Sequence, residues 1–275
     1  MVENARSVRA ALADAAQRFD FSATARLDAE LLMAHAMGVE RNALLLGDLG
    51  APPPPGFTAL VERRLNHEPV AYLTGRRGFW TIDLHVEPGV LVPRADSETL
   101  IEAAVEHFGE RSPRSIIDLG TGSGALLLAA LAQWPDANGI GIDASSEAVR
   151  IATLNVQRLG MEARARIVAG GWAGEGGPHD LLLCNPPYVA TGAMLPREVR
   201  NHEPGSALFA GEDGLDDYRA LAPLLRGQLA PGGVACVEIG SDQGGSAADL
   251  FRAQDLSVTV RQDLGARDRC LVVTP

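Results

Sequence analysis

The stretch Ile116-Ile117-Asp118-Leu119-Gly120-Thr121-Gly122-Ser123-Gly124-Ala125 decides the fold. Its first half is an apolar run that reads as a buried strand over residues 116–119. Its second half is a glycine-rich turn that opens a helix at Ala125. Outward from there the same unit repeats. Strands are predicted over residues 139–143, 165–169, 181–185, 234–239, 257–262 and 269–273, and helices over 147–159, 216–229 and 246–253. This alternation specifies an α/β fold, a doubly wound and mostly parallel seven-stranded sheet of Rossmann-like type with helices on both faces.

Toward the N-terminus the period is helical throughout. Val8, Leu12, Ala15, Ala16 and Phe19 share one helix face, and Leu27, Leu31 and Ala34 share another before Gly38, which suits a C-terminal cap. Asn42 opens a leucine-rich segment. Pro52-Pro53-Pro54-Pro55-Gly56 reads as a stiff connection to a helix over 58–65. Residues 1–75 are therefore expected to form a small all-α domain. Alternation then replaces the helical period: Phe79, Trp80, Ile82, Leu84 and Val86 precede a turn at Glu87-Pro88-Gly89 and then Val90, Leu91 and Val92. A β-hairpin linker over 76–96 follows from this, with Asp96 or Ser97 capping a helix that runs to Phe108. The second domain spans 97–275. Within it residues 189–215 are too long for a plain connection, so they are expected to close over a site.

Composition narrows the function classes. With 35 acidic against 24 basic residues the net charge is −11, which opposes nucleic acid unless a basic patch overrides it, and only Arg63-Arg64 and Arg76-Arg77 cluster. No apolar run reaches the ~18 to 20 residues of a membrane span, and Arg6, Arg9 and Asp14 interrupt any secretory start. Cys184, Cys236 and Cys270 lie in apolar runs without C-x-x-C spacing, as buried thiols in a reducing compartment do. His35, His67, His85, His107, His179 and His202 show no ligand spacing. A cytoplasmic monomer with no metal, no membrane contact and no direct nucleic-acid partner is the expectation.

The chemistry is expected at Asn185-Pro186-Pro187-Tyr188, directly after the apolar run 181–184 and so at a strand's C-terminal end. Two prolines stiffen the segment and hold Asn185 extended. The segment presents the Asn185 side-chain carbonyl, the Pro186 backbone carbonyl and the Tyr188 ring. Two acceptors and a flat wall suit a planar NH₂ group, in a carboxamide or on adenine. Cys184 beside it reads as buried rather than nucleophilic.

The glycine turn misses G-x-G-x-x-G, which needs glycine where Ala125 or Leu127 stands, but fits D-x-G-x-G-x-G completely. That variant resembles the first motif of S-adenosylmethionine-dependent methyltransferases, whose cationic sulfonium favours a carboxylate such as Asp118 nearby. Asp143 ends the second strand near the ~20-residue spacing at which an acid meets a ribose diol; helix capping before Ser145 and Ser146 is the alternative. Trp172, set among Gly170, Gly171, Gly174, Gly176 and Gly177, is placed to cover an adenine face or to pack against the sheet.

Together these residues resemble the protein-(glutamine-N5) methyltransferases often called HemK or PrmC, which modify the glutamine of the Gly-Gly-Gln loop in peptide-chain release factors. Nearly the whole chain takes part: Glu68-Pro69-Val70-Ala71-Tyr72-Leu73-Thr74-Gly75, Leu91-Val92-Pro93-Arg94, Arg200-Asn201-His202-Glu203-Pro204 and Gly211-Glu212-Asp213-Gly214-Leu215 belong to the pattern. The resemblance implies that Asp118, Gly120, Thr121, Gly122, Ser123, Gly124, Asp143, Trp172 and Asn185 bind S-adenosylmethionine, with S-adenosylhomocysteine as product. It implies that Asn185, Pro186, Pro187 and Tyr188 hold the glutamine, that Asn185, Pro186 and Tyr188 are catalytic, and that the helical domain recognises the release factor. Two positions depart from the pattern, Ala95 for a proline and Gly171 for an aspartate. A ribosomal-protein glutamine methyltransferase and an adenine-N6 methyltransferase share Asn-Pro-Pro-Tyr, and a non-catalytic adaptor is the reading from another class.

Overall fold

The computed structural model describes residues 7–275; residues 1–6 of the expected helical domain lie outside the described part. The chain divides into two compact units, one of residues up to Arg76 together with Leu195–His202, the other of Arg77–Met194 with Glu203–Pro275.

The first unit is helical: α1 (Val8–Arg18), α2 (Ala25–Met37), α3 (Arg41–Leu46), α4 (Phe57–Leu65) and α5 (Val70–Thr74). The Ser7 hydroxyl accepts from Ala10 N at 3.3 Å and starts α1. Gly38, at φ 66°, ends α2 in the left-handed conformation that glycine tolerates. Val8, Leu12, Phe19, Leu32, Met33, Phe57, Val61 and Leu73 form the core. Buried beside it, Arg64 donates from Nε to Asp28 Oδ2 at 3.0 Å and from Nη1 to Glu198 at 2.8 Å. Ser22 and Thr24 hydroxyls satisfy the same Asp28 carboxylate. Glu198 belongs to the segment Leu195–His202, and His202 Nε2 lies 3.1 Å from Asn66 O. Arg63 pairs with Glu68, and Arg76 with Glu40. Of the basic clusters in the sequence, Arg63, Arg64 and Arg76 are thus held in ion pairs, and Arg77 donates from Nε to Pro93 O at 2.8 Å.

The hairpin comes next, β1 (Arg76–Phe79) and β2 (Ile82–His85). Its turn falls at Trp80-Thr81, not at Glu87-Pro88-Gly89, and Val90 to Val92 form no strand. Trp80 takes φ 53°, a conformation costly for a bulky residue, and two hydrogen bonds hold it: its N–H donates to Glu98 Oε1 at 2.9 Å and its indole Nε1 to Gln133 Oε1 at 3.3 Å. Nor is the hairpin a free linker. From Arg77 onward it belongs to the second unit, where Phe79, Leu84 and Val86 are buried. Asn155, fully buried, accepts from His85 N at 2.8 Å and donates to His85 O at 2.9 Å and Ser123 O at 2.8 Å. Asn155→Ala would leave three backbone groups unpaired, so a loss of about 3 kcal/mol is expected. Urea unfolding monitored by circular dichroism checks it.

The sheet follows through α6 (Glu98–Phe108), β3 (Ser115–Leu119), α7 (Ala125–Gln133), β4 (Asn138–Asp143), α8 (Ser146–Arg158), β5 (Ala165–Ala169), β6 (His179–Cys184), α9 (Arg197–His202), α10 (Asp216–Gln228), β7 (Leu229–Glu238), α11 (Gly244–Arg252), β8 (Ser257–Gln262) and β9 (Asp268–Thr274). Strand order is β5-β4-β3-β6-β7-β9-β8, with β9 antiparallel to both neighbours and the rest parallel. The seven-stranded, mostly parallel Rossmann-like sheet expected from the sequence is the fold. The chain runs outward from β3 to β5 and returns to pair β6 on the other side of β3, so a crevice opens between the C-terminal ends of β3 and β6. Leu181, Leu182, Leu183 and Cys184 are wholly buried because β6 is central and covered on both faces.

Candidate active site

A cavity of about 590 Å³ occupies that crevice. Gly120, Thr121, Gly122 and Ser123 line it from the turn after β3, Asp143 from the end of β4, Gly171 and Trp172 after β5, and Asn185 and Pro187 after β6. Further walls come from Phe79, Leu91, Pro93, Arg94 and Ser97, and from Pro204, Ser206, Ala207 and Phe209. The sequence motifs converge on one volume.

Gly120, Gly122 and Gly124 have φ of 69°, 55° and 85°, which explains why glycine recurs at every second position: a side chain at any of them would be strained. The turn is held from two sides. Asp143 Oδ2 accepts from Gly122 N at 2.9 Å, and its Oδ1 from Ser145 N at 2.8 Å. Helix α8 is capped by Ser145 itself, whose hydroxyl accepts from Ala148 N at 3.3 Å. Asp143 is therefore not the cap; it lines the cavity, and each of its oxygens keeps acceptor capacity beyond these bonds.

Asp118 sits elsewhere than a direct cofactor contact would require. It is buried and does not line the cavity. Its Oδ2 accepts from Thr121 Oγ1 at 2.6 Å and from Leu127 N at 3.2 Å, bracing the glycine turn from beneath, because a buried carboxylate must take the nearest donors. Burial raises its pKa to about 7, against the opposing hydrogen bonds of Thr121 and Leu127 and with a smaller push from Asp143. A carboxyl whose folded pKa lies above its unfolded value stabilises the fold below the unfolded pKa and loses that contribution as pH rises through the folded one. Wild-type stability is thus expected to fall between about pH 4 and pH 7 by an increment that Asp118→Asn abolishes; denaturant midpoints across that range measure it.

Trp172 does both things the sequence allowed. Its ring lines the cavity and lies 3.3 Å from where a Cβ on Gly120 would stand, while it also packs on the sheet core. Its indole Nε1 donates to Asp217 Oδ1 at 3.1 Å, and its carbonyl accepts from Gln228 Nε2 at 2.8 Å. A Cβ on Gly171 would meet nothing within 4 Å. The missing aspartate there reflects the residue chosen, not lack of room. Asp217 supplies a carboxylate to the same cavity, its pKa raised by burial against the Trp172 hydrogen bond.

Asn185 faces the cavity and donates from Nδ2 to Ser97 Oγ at 3.3 Å. Ser97, expected as a candidate helix cap, has helical φ and ψ and makes no capping bond. Neither Pro186 nor Tyr188 lines the cavity. Tyr188 was expected as the flat wall of the amide receptor; instead its ring packs against the sheet core and its hydroxyl donates to Glu238 Oε1 at 3.3 Å, since a phenol this far buried needs a partner. Glu238, at the end of β7, is itself buried, and burial raises its pKa to about 7 against Ser97, Arg269 and Tyr188, which lower it, with Asp96 adding to the rise. Gln243 Nε2 donates to Tyr188 O at 3.0 Å and Gly214 O at 3.2 Å, locking the backbone after the motif. Residues 189–191 pair with 208–211, through Val189 N to Leu208 O at 2.8 Å and Ala210 N to Val189 O at 3.0 Å. Arg94, on the cavity wall, pairs with the buried Glu203 at 2.5 Å.

Sequence reasoning missed Ser97, Glu238, Gln243 and Asp217. Only Glu238 carried a signal, an acid at the end of an otherwise apolar strand. Burial pushes the Cys184 thiol well above its ordinary pKa, which keeps it protonated and removes it as a nucleophile. Among the described residues no His, Cys, Asp and Glu group is arranged to hold a metal, and no helix is long and apolar enough to cross a membrane.

Residues 10–75 match the family model described as the PrmC N-terminal domain, and residues 84–200 match the methyltransferase small domain. The chain is 43% identical over 257 residues to the release factor glutamine methyltransferase of Rhodospirillum rubrum, covering 90% of this chain and 78% of that one. It is 42% identical over 270 residues to the enzyme of the same name from Xylella fastidiosa, covering 96% of each. The counterpart from Moorella thermoacetica is 39% identical over 277 residues, covering 97% of this chain and 98% of its own. Among solved structures, the 16S rRNA methyltransferase RsmC of T. thermophilus, in complex with AdoMet and guanosine, superposes with a TM-score of 0.51 at 19% identity over 72% of this chain and 48% of that one. A methyltransferase from Pyrococcus furiosus gives 0.50 at 17% identity over 70% and 88%. At these identities the structures speak to the fold alone.

Proposed function

The chain belongs to the family of release factor glutamine methyltransferases, and we propose that it transfers the methyl group of S-adenosylmethionine to the side-chain amide nitrogen of the glutamine in the Gly-Gly-Gln motif of a peptide-chain release factor. The observation that carries this reading is Asn185: its NH₂ end is tied to Ser97, so its carbonyl end is left for the cavity that the glycine turn also lines.

The residues present fit the cofactor. A volume of about 590 Å³ is within the ~300 to 1,000 Å³ usual for such sites, the three left-handed glycines let backbone approach closely, and Asp143 keeps acceptor capacity for a ribose diol. Gly120, Gly122, Asp143 and Trp172 would hold it, with Asp217, bonded to the Trp172 indole, adding a carboxylate to the same cavity. When bound it supplies an electrophilic methyl carbon on a sulfonium.

The chain's own residues then orient the nucleophile. A carboxamide nitrogen is unreactive because its lone pair is delocalised. Asn185 Oδ1 accepts one of its hydrogens, which orients the amide and lies close to the positive charge that develops on nitrogen. No strong base is required, since an alkylated amide cation sheds its proton readily to water. Tyr188 contributes from behind, through Glu238, rather than as a wall of the pocket.

Substrate recognition is assigned to the helical unit, whose core and ion pairs leave no chemistry of its own. The net charge of −11 and the paired arginines favour a protein substrate over nucleic acid in a cytoplasmic setting. The decisive experiment incubates the protein with methyl-labelled S-adenosylmethionine and purified release factor, wild type and with the motif glutamine changed to alanine. Label on the wild-type factor alone is expected. Label on a ribosomal protein or on nucleic acid, with none on the release factor, would overturn the assignment.

A further inference from the structure

Among the described residues, three charged side chains line the cavity: Arg94, Asp143 and Asp217. Arg94 is paired with Glu203, and Asp143 accepts from Gly122 N and Ser145 N, one bond on each oxygen. Asp217 is held from one side only. Its Oδ1 accepts from Trp172 Nε1 at 3.1 Å, while its Oδ2 makes no hydrogen bond or ion pair among the described residues. We infer that Asp217 is the residue by which this chain reads the base of its cofactor: its Oδ2 accepts from the exocyclic amino group of adenine and so selects an amino-purine over an oxo-purine. This rests on the S-adenosylmethionine reading above and deepens it.

Strand order places the base. Along the sheet from β6 through β3 and β4 to β5, the C-terminal ends contribute Asn185, the glycine turn, Asp143 and Trp172 in succession. The methyl group has to meet the glutamine at Asn185 and the ribose its acceptor at Asp143, so the base falls at Trp172, whose indole offers a face to a planar ring. Helix α10 fixes that residue at two points, since Gln228 Nε2 donates to its carbonyl at 2.8 Å and Asp217 accepts from its indole. An acceptor of the indole N–H stands at the edge of the indole, where a purine stacked on the face presents an edge of its own. Gly171, beside Trp172, brings no side chain to that place.

The chemistry of the carboxylate then decides what is accepted. An ionised carboxylate has lone pairs and no hydrogen to give. Adenine presents an NH₂ group at position 6 of the purine and satisfies Oδ2. Hypoxanthine presents a carbonyl oxygen there, which meets Oδ2 acceptor to acceptor, so the site discriminates by repulsion as well as by attraction.

Calorimetry with S-adenosylhomocysteine and S-inosylhomocysteine, which differ by the exchange of that amino group for an oxo group, tests this without any methyl transfer. Wild type is expected to prefer S-adenosylhomocysteine at least about 10-fold, the value of a hydrogen bond to a charged group. Asp217→Ala should bring the two Kd values within about threefold of each other, chiefly by weakening S-adenosylhomocysteine. Asp217→Asn changes the sign. The Trp172 indole keeps its acceptor only if the new amide turns its oxygen that way, which leaves Nδ2 toward the cavity, donor to donor with adenine and donor to acceptor with hypoxanthine. Preference for S-inosylhomocysteine is therefore expected in Asp217→Asn. Were Asp217 merely a prop for the indole, Asp217→Ala would lose both ligands alike and Asp217→Asn would keep the wild-type preference; either result overturns the inference. The inference and the function fail separately. Wild type that binds S-adenosylhomocysteine with a preference indifferent to residue 217 overturns the inference alone, even if release factor is methylated. A preference set by Asp217 in a protein that fails to label release factor supports the inference and overturns the function, and wild type that binds neither ligand overturns both.

Discussion

Asn185→Ala is expected to lower kcat for release-factor methylation about 10²- to 10³-fold, by analogy with removing one preorganised hydrogen-bond partner of a developing charge, while cofactor Kd stays within about twofold. The reason is that Asn185 Oδ1 acts on charge that exists only as the new bond forms, so its loss belongs to kcat rather than to ground-state binding. Asn185→Asp is the sharper variant. Its cavity-facing oxygen still accepts from the substrate, so it should exceed Ala. Its other oxygen, however, replaces the donor to Ser97. Protonating the aspartate restores a donor at that place, so Asn185→Asp should gain activity as pH falls from 8 toward 6. Single-turnover rates across that range measure it; a variant that gains with rising pH would show that the donor end of Asn185 is not what Ser97 holds.

Much of this arrangement is local in sequence, and that part was legible. Strand and helix alternation from Ile116 onward reports burial on both faces of a sheet, and every glycine of the turn after β3 answers to a left-handed φ that the motif spacing requires. Helix α1 and the Gly38 cap follow from apolar period and glycine chemistry for the same reason, whereas α2 buries Leu32 and Met33 and leaves Leu27 exposed. What periodicity cannot carry is a contact between residues far apart in the chain. The hairpin turn falls at Trp80 because Glu98 and Gln133 stabilise an uncommon backbone conformation there, and neither partner is visible from a run of alternating residues. Asn155 reads as an ordinary helical position until its amide is seen to bind both His85 and Ser123.

The candidate site divides in the same way. Residues on the turn and after β6 announce themselves by composition, since glycine and proline have few other reasons to recur so closely. Their supporting residues do not. Ser97 looks like a cap because serine before a helix usually is one, and only the presence of Asn185 gives its hydroxyl another task. Residues 189–215 read as one segment closing over a site, yet the segment is shared: 195–202 belong to the helical unit, while 204, 206, 207 and 209 line the cavity of the other. Tyr188 was placed in the pocket by its motif and is drawn behind it by its hydroxyl, a polar group that had to find Glu238 once the ring was buried.

Asp143→Ala is expected to weaken cofactor binding roughly 10- to 100-fold, within the ~1.5 to 3 kcal/mol assigned to hydrogen bonds with a charged group, while kcat at saturating cofactor changes less than about threefold. Two mechanisms predict that loss. In one, the carboxylate holds the ribose diol directly. In the other, it acts through the protein, because Gly122 N and Ser145 N both donate to it and the glycine turn loosens without it. An S-adenosylhomocysteine analogue lacking both ribose hydroxyls separates them by calorimetry. If the diol contact dominates, the analogue binds wild type and Asp143→Ala with nearly equal Kd. Should the analogue lose as much affinity as S-adenosylhomocysteine itself, Asp143 serves chiefly to brace the turn. Asp143→Asn then becomes informative, since one of its two ends must present NH₂ to a backbone N–H, and its Kd should lie close to that of alanine despite the retained size.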